Sequence, residues 1–276
     1  MTIIERLQQH KDLEPHKIAL IVDEEEYTYG QLYDAIISME FNNTSRIINL
    51  GQFNDGQKNK VLLIQSLSFV EQLLQWLWGL YKGYISMVCH NEMDAAYIDE
   101  LARIISVEGV PTSADFGVLT SGTTGRPKPL WRSESSWREF FDIQNNIFHI
   151  NKDTKIFLHG SFSFTGVSNM VVAVLWSGGT VITTSSLRPI RWIQLIDKYH
   201  VDHIYALPTK LRLLVRHCKS KLDSTSYIIG GSQVLDRQLM EQLERICPNM
   251  EFILYYGASE LNYITYCTGK EWLDRE

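Results

Sequence analysis

Thr120-Ser121-Gly122-Thr123-Thr124-Gly125-Arg126-Pro127-Lys128 follows directly on the apolar, β-like run Phe116–Leu119. A loop that leaves the end of a strand stands where α/β sheets bind their ligands. Gly122 and Gly125 let the backbone come close to a bound group and turn its N–H groups inward. Thr120, Ser121, Thr123 and Thr124 add hydroxyl donors for phosphoryl oxygens, and Lys128 adds a mobile positive charge. The stretch reads as a cradle for a polyphosphate. Its spacing, G-x-x-G-x-x-K, is not the G-x-x-x-x-G-K-[ST] of the Walker loop. A plain hydroxyl-rich surface turn is the competing reading, and a composition ending in Pro-Lys argues against it.

Around this loop, short β-rich runs alternate with longer helical stretches. The runs are Val61–Gln65, Gly117–Thr120, Lys155–Leu158, Thr180–Thr184, His203–Leu207, Ser226–Ile229 and Glu251–Tyr256. Leu67–Tyr81 carries Val70, Leu73, Leu74, Leu77 and Leu80 on one stripe. Asp94 caps a stretch bearing Ile98, Leu101, Ile104 and Ile105, and Asp236 caps one bearing Leu239, Leu243 and Ile246. These stripes are read as core. The alternation predicts an α/β fold of two βαβ-type lobes, with largely parallel sheets flanked by helices. The loop-rich segments Asn42–Lys60 and Ser185–Pro189 are expected to bound the lobes. That gives a phosphate-loop lobe over 55–185 and a second lobe over 1–54 plus 186–276.

Composition narrows the classes. With 45% hydrophobic and 21% charged residues, the 276-residue chain can bury a sizeable core. Its 26 basic against 32 acidic residues leave a charge of −6, which removes the basic excess that nucleic-acid binding needs. Apolar stretches such as Met170–Trp176 fall far short of the ~20 residues that span a bilayer. The first residues lack the pattern of a secretory leader, so a cytoplasmic protein is expected. Cys89, Cys218, Cys247 and Cys267 are scattered, and no disulfide framework is expected. His200, Asp202 and His203 have a metal-like spacing without a third ligand nearby, so packing is the expected role. Nothing marks Cys218, beside His217, as an activated thiol, and no G-x-S-x-G elbow of an α/β-hydrolase is present.

The run Ser121–Lys128 closely resembles the loop of the AMP-forming adenylating superfamily, which contains acyl-CoA synthetases, the adenylation domains of non-ribosomal peptide synthetases and firefly luciferase. Tyr27-Thr28-Tyr29-Gly30-Gln31-Leu32 resembles the family's early Y-T-Y-x-E-L segment, and Ala206-Leu207-Pro208-Thr209 its strand ending in P-T. Gly230-Gly231-Ser232 is similar to its second glycine turn, and Tyr255-Tyr256-Gly257-Ala258-Ser259-Glu260 to its Y-G-x-T/S-E motif. The order of the motifs matches, and the acyl-CoA synthetases are the most similar branch. The resemblance implies attack of a carboxylate on the α-phosphorus of ATP, release of pyrophosphate, and transfer of the acyl adenylate to CoA or a carrier-protein thiol. Thr120–Gly125 would hold the β- and γ-phosphates, and Lys128 would balance their charge. Pro129 stands where the family usually has glycine, and is expected to stiffen the loop exit. Glu260 would hold Mg²⁺ and Ser259 would contact the α-phosphate. Tyr256 would stack on adenine, with close backbone approach at Gly257 and Ala258. Gly230, Gly231 and Ser232 would line the other side, and Tyr255 could be core instead.

Ser161-Phe162-Ser163-Phe164-Thr165-Gly166 falls at the family's acid-binding segment, with Ser163, Phe164, Thr165 and Gly166 as candidate contacts. Ser163 lines up with the His of the H-x-x-G that acyl-CoA synthetases often show, and Gly166 with its Gly. Thr165 falls where amino-acid-activating relatives place an Asp. Without that counter-charge, and with Phe162, Phe164, Val167, Met170 and Trp176 around it, the segment suits a fatty or other apolar acid. His159 is read as an ordinary strand-end histidine. Tyr263–Glu276 shows neither cap nor tail character, and the resemblance stops before the T-G-D motif, hinge and small C-terminal domain. Thr268-Gly269-Lys270 comes too early, and ends in the wrong residue, to be that motif. The chain is therefore expected to be the N-terminal portion of a ligase, weak or inactive alone and associating with itself through uncovered apolar surface. A non-catalytic nucleotide- or acyl-adenylate-binding protein and an amino-acid adenylation module are the alternatives.

Overall fold

The computed structural model describes residues 1–40, 45–50, 60–120, 127–233 and 235–273. In chain order the elements begin with α1 (Ile3–Leu13), β1 (Ile18–Val22), β2 (Glu25–Thr28), α2 (Tyr29–Ser38), β3 (Arg46–Asn49), β4 (Lys60–Ile64), α3 (Phe69–Tyr81) and β5 (Ile85–Val88). There follow α4 (Ala95–Glu108), β6 (Phe116–Thr120), β7 (Lys128–Arg132), α5 (Ser135–Ile147), β8 (Lys155–Leu158), α6 (Thr165–Ser177) and β9 (Thr180–Thr183). The remainder is α7 (Pro189–Lys198), β10 (His203–Tyr205), α8 (Pro208–His217), β11 (Tyr227–Gly231), α9 (Arg237–Ile246), β12 (Glu251–Ala258), β13 (Asn262–Thr268) and α10 (Gly269–Leu273).

Local chemistry sets the helix starts. The hydroxyl of Thr28 accepts from the Gln31 N–H while the Gln31 side chain accepts from the Thr28 N–H. The Y-T-Y-G-Q-L motif is thus a strand end closed into a helix by a capping box. Asp94 and Asp236 cap α4 and α9 as the sequence predicts. Pro189 and Pro208 open α7 and α8, where a missing N–H costs nothing. Pro208 also ends the preceding strand at Tyr205, two residues before the expected limit.

The chain divides into two compact units, one of residues 1–17, 27–140 and 160–172, the other of 18–26, 141–159 and 173–276. The first holds a five-stranded sheet in the order β3-β4-β5-β6-β7, parallel at its centre and antiparallel at both edges. Val61, Leu63, Met87, Leu101 and Ile105 fill its core against α4. The second holds an eight-stranded sheet in the order β13-β12-β11-β10-β8-β9-β1-β2. Strands β12 through β1 run parallel, with Phe157, Ile182, Leu195, Ile204, Leu211, Ile228 and Leu243 in the core beneath α7–α9. The α/β expectation stands.

The expected lobe limits do not. β8 and β9, placed with the phosphate loop at 55–185, pair with β10 and β1 in the eight-stranded sheet. α1, α2 and β3, placed in the other lobe, belong to the first unit. The described part of Asn42–Lys60 contains β3, which pairs with β4 in one sheet, and the Ser185 N–H bonds the Asp23 carboxylate within the second unit, so neither segment separates the lobes. Ladder partners, not loop composition, decide membership. The chain end also differs from expectation. Thr268 and Glu271 exchange side chain-to-backbone hydrogen bonds of 2.9 and 3.3 Å, so Tyr263–Glu276 does contain a helix cap.

Candidate active site

In the first unit, β6 and β7 form a hairpin whose last rung pairs Thr120 with Lys128, so the two candidate phosphate-binding residues stand directly opposite each other. The Thr120 hydroxyl lies 3.4 Å from the Lys128 carbonyl, and Lys128 is exposed. Ser121, Gly122, Thr123, Thr124 and Gly125 lie outside the described residues. The chain resumes as a strand rather than a helix, which separates this loop from a Walker loop in topology as well as spacing. Pro129 lies inside β7, not in the loop exit; β7 is the edge of the sheet, where a missing N–H is tolerated. The Tyr97 hydroxyl, from α4, donates to the carbonyl of Pro127 and ties down the base of the hairpin.

The acid-binding candidates are held by a polar network in the same unit. Ser163 is buried; its hydroxyl lies 2.8 Å from that of Ser161 and 2.9 Å from Nδ1 of His90. Phe164 is half-exposed and stacks on His90 with ring centroids 5.0 Å apart. Gln72, fully buried on α3, accepts from the Phe162 N–H and the Ser161 hydroxyl, both at 3.1 Å. Behind the segment, Phe162 packs edge-on against Trp76 and Phe69. Thr165 and Gly166 begin α6, whose first turn holds no acidic residue.

In the second unit, the ends of β11 and β12 bring the glycine turn and the tyrosine motif together, with Gly231 opposite Tyr255. A Cβ on Gly231 would meet the Tyr255 ring at 2.7 Å, so only glycine fits there. Gly230 is buried against Phe252 and serves packing. The pleat separates the two tyrosines. Tyr255 turns inward, its hydroxyl 2.7 Å from that of Tyr205, and burial raises its pKa. Tyr256 is 64% exposed and, with Ser232, Gly257 and Tyr266, lines a cavity of about 690 Å³ that Tyr255 also borders. Ala258 ends β12, and Ser259 and Glu260 follow in the β12–β13 turn, closed by a bond from the Leu261 N–H to the Ala258 carbonyl. Glu260 is exposed and its carboxylate pairs with no described cation. A single free carboxylate suits Mg²⁺, which takes most of its ligands from phosphate and water. No cluster of three or more metal-ligating side chains exists among the described residues.

The histidines resolve individually. His203 is buried, with Nδ1 against Asp202 and Nε2 3.0 Å from the Phe148 carbonyl, so both ring nitrogens are engaged in packing. His159 packs at a tilt against Trp192, ring centroids 4.5 Å apart, and burial, reinforced by Lys210, pushes its pKa down to about 4. Lys210 donates to the His159 carbonyl, and burial lowers its own pKa. Gln72 and His90 were not singled out in the sequence. A glutamine inside the apolar stripe of α3 was the available signal for the first, and none existed for the second.

The description "AMP-binding enzyme" belongs to the family model that matches residues 116–276, more than half of the chain. The chain belongs to the AMP-binding enzyme family. "Putative long chain fatty acid-CoA ligase VraA" of Staphylococcus epidermidis is 25% identical over 286 residues, covering 96% of this chain and 60% of that protein. "Uncharacterized acyl--CoA ligase YhfT" of Bacillus subtilis is 28% identical over 183 residues, covering 66% of this chain and 37% of that protein. This AMP-binding chain thus spans about 60% of the length of VraA. Among solved structures, the N-terminal domain of FACL13 from Mycobacterium tuberculosis superposes with a TM-score of 0.78 at 16% identity, covering 99% of this chain and 80% of that one. O-succinylbenzoate coenzyme A synthetase (MenE) from Bacillus subtilis, in complex with ATP and magnesium ion, gives 0.77 at 15% identity, covering 98% and 63%. At these identities the likeness is one of fold.

Proposed function

We propose that this chain is the nucleotide-binding part of an AMP-forming acid–thiol ligase, activating a fatty or other apolar carboxylic acid as its adenylate for transfer to CoA or a carrier-protein thiol in the cytoplasm. The observation that carries the reading is the cavity at the ends of β11 and β12, where exposed Tyr256 stands beside Ser232 and Gly257 while Tyr255 turns into the fold. A flat ring over open space suits an adenine base. Lys128 offsets charge on the β- and γ-phosphates together with the hydroxyls and amides of the 120–125 loop. Ser259 donates to the α-phosphate, where the carboxylate oxygen attacks in line and pyrophosphate departs. Holding these charges in place is the protein's main contribution to the rate. Glu260 would hold Mg²⁺, which when bound would supply charge neutralisation for the pyrophosphate leaving group. The first turn of α6, free of acidic side chains, leaves a substrate ammonium without a partner at Thr165 and favours an uncharged acid tail.

Calorimetry with magnesium–ATP and hydroxylamine trapping across a panel of carboxylic acids test the reading. A loss of about 1–3 kcal/mol of binding free energy in Tyr256→Ala is expected from the calorimetric affinity. So is a loss of about a hundredfold or more, in Lys128→Met, of the weak hydroxamate formation expected of the wild-type chain. No binding heat from the wild-type chain, or an unaltered Tyr256→Ala, sinks it.

A further inference from the structure

Hydrogen-bond bookkeeping fixes the proton on a histidine that the sequence did not single out. The Gln72 amide has one orientation only. Its Oε1 accepts from the Phe162 N–H, and its Nε2 donates to the Ser66 carbonyl at 2.7 Å and to Asn91 Oδ1 at 2.9 Å. The Ser161 hydroxyl, 3.1 Å from the same Oε1, must therefore be a donor to it. With its one proton so used, Ser161 Oγ accepts from its other two neighbours, the Ser163 N–H at 3.2 Å and the Ser163 hydroxyl at 2.8 Å. The Ser163 hydroxyl proton is then spent as well. Its oxygen, 2.9 Å from His90 Nδ1, can only accept, so Nδ1 carries the ring proton. Each donor in this chain polarises the next, which favours the single ordered arrangement.

The opposite nitrogen, Nε2, is left as a bare acceptor with no hydrogen-bond partner among the described residues. Burial lowers the ring's pKa and so favours its neutral form, against the weaker opposing pull of Glu92. His90 stacks on half-exposed Phe164 and lines a cavity of about 400 Å³ that also holds Met93, Tyr97 and Pro127 and three carboxylates, Glu92, Asp94 and Glu100. We propose that His90 is a specificity-determining residue that reads a hydroxyl on the tail of the acid, so that the preferred substrates are acids whose tail carries one such donor. The proposal rests on the reading of Ser161–Gly166 as the acid-binding segment. An acid lacking the donor would desolvate Nε2 without replacing its bond to water.

Two measurements test it. Long-range proton–nitrogen NMR of the wild-type chain at neutral pH reports the His90 tautomer without any substrate. The Nδ1-protonated form is expected, and an Nε2-protonated ring overturns the proposal. Hydroxylamine trapping and calorimetry then compare matched acids: ω-hydroxydodecanoate with dodecanoate, and para-hydroxyphenylacetate with phenylacetate. The hydroxylated member of at least one pair is expected to be favoured about tenfold. The preference should vanish in His90→Phe, which keeps a flat ring against Phe164, and survive in part in His90→Asn, which keeps an acceptor. Equal use of both members of each pair, or an undiminished preference in His90→Phe, overturns the specificity role alone. If the tautomer is as expected and no acid binds, the acid-binding reading itself fails and the proposal falls with it.

Discussion

His159 is a base that its surroundings keep uncharged, and the sign of the effect on stability follows. Its pKa is about 4 in the folded chain against an ordinary 6.5, so the unfolded chain takes up the proton first as the pH falls. Its contribution is complete above 6.5 and is lost between 6.5 and about 4. Urea midpoints measured across that window are expected to fall, and to fall less in His159→Phe, which retains a ring against Trp192. Gly231→Ala addresses a second residue. Its new Cβ would lie 2.7 Å from the Tyr255 ring and 2.9 Å from the Tyr255 carbonyl oxygen. A loss of about 1–3 kcal/mol is expected, because the ring cannot retreat without breaking its bond to Tyr205. An unshifted thermal midpoint would contradict that. Legibility differed from residue to residue. The resemblance named both tyrosines of the motif, but only the pleat assigned one inward and the other outward. His90 was illegible because its partners, Ser163 and Phe164, come from more than seventy residues away.

Of the helices with a side-chain cap, α3, α4 and α9 were legible, whereas α1 and α2, closed by capping boxes at Thr2 and Thr28, were not, and neither were the edge strands. Asp94 and Asp236 were readable because an N-cap acts within three residues, at the Tyr97 and Leu239 N–H groups. The central parallel strands were readable as apolar runs, being covered on both faces. β7 was not, since Lys128–Arg132 mixes charge, proline and tryptophan on an edge, and β13 reads as a loop until β12 supplies its ladder. The capping box at Thr28 offers a test at this scale. Thr28→Ala removes the acceptor for the Gln31 N–H and is expected to cost about 1 kcal/mol, with Thr28→Ser recovering most of it in thermal melts. If alanine is neutral, the box contributes nothing to the start of α2.

At the scale of the whole chain, alternation of strand and helix revealed the fold class, but the division into units depended on pairings such as β9 with β1, some 160 residues apart, that no local pattern encodes. One surface follows from the same ladders. β13 pairs only with β12 among the described residues, and Tyr256, Leu261, Ile264 and Tyr266 stand at least 44% exposed around that edge. An open edge with apolar side chains invites pairing. The chain is expected to associate with rising concentration, and Ile264→Lys to reduce that association in light scattering; a monomer at every concentration would refute it. The hairpin that frames the loop has a different consequence. Because the chain leaves Thr120 and returns at Lys128 in extended form, no helix axis starts at that return to aim its positive end at a bound anion. The field at that return falls to the ammonium group of Lys128, a mobile point charge more open to screening by dissolved ions than an aligned array of peptide dipoles.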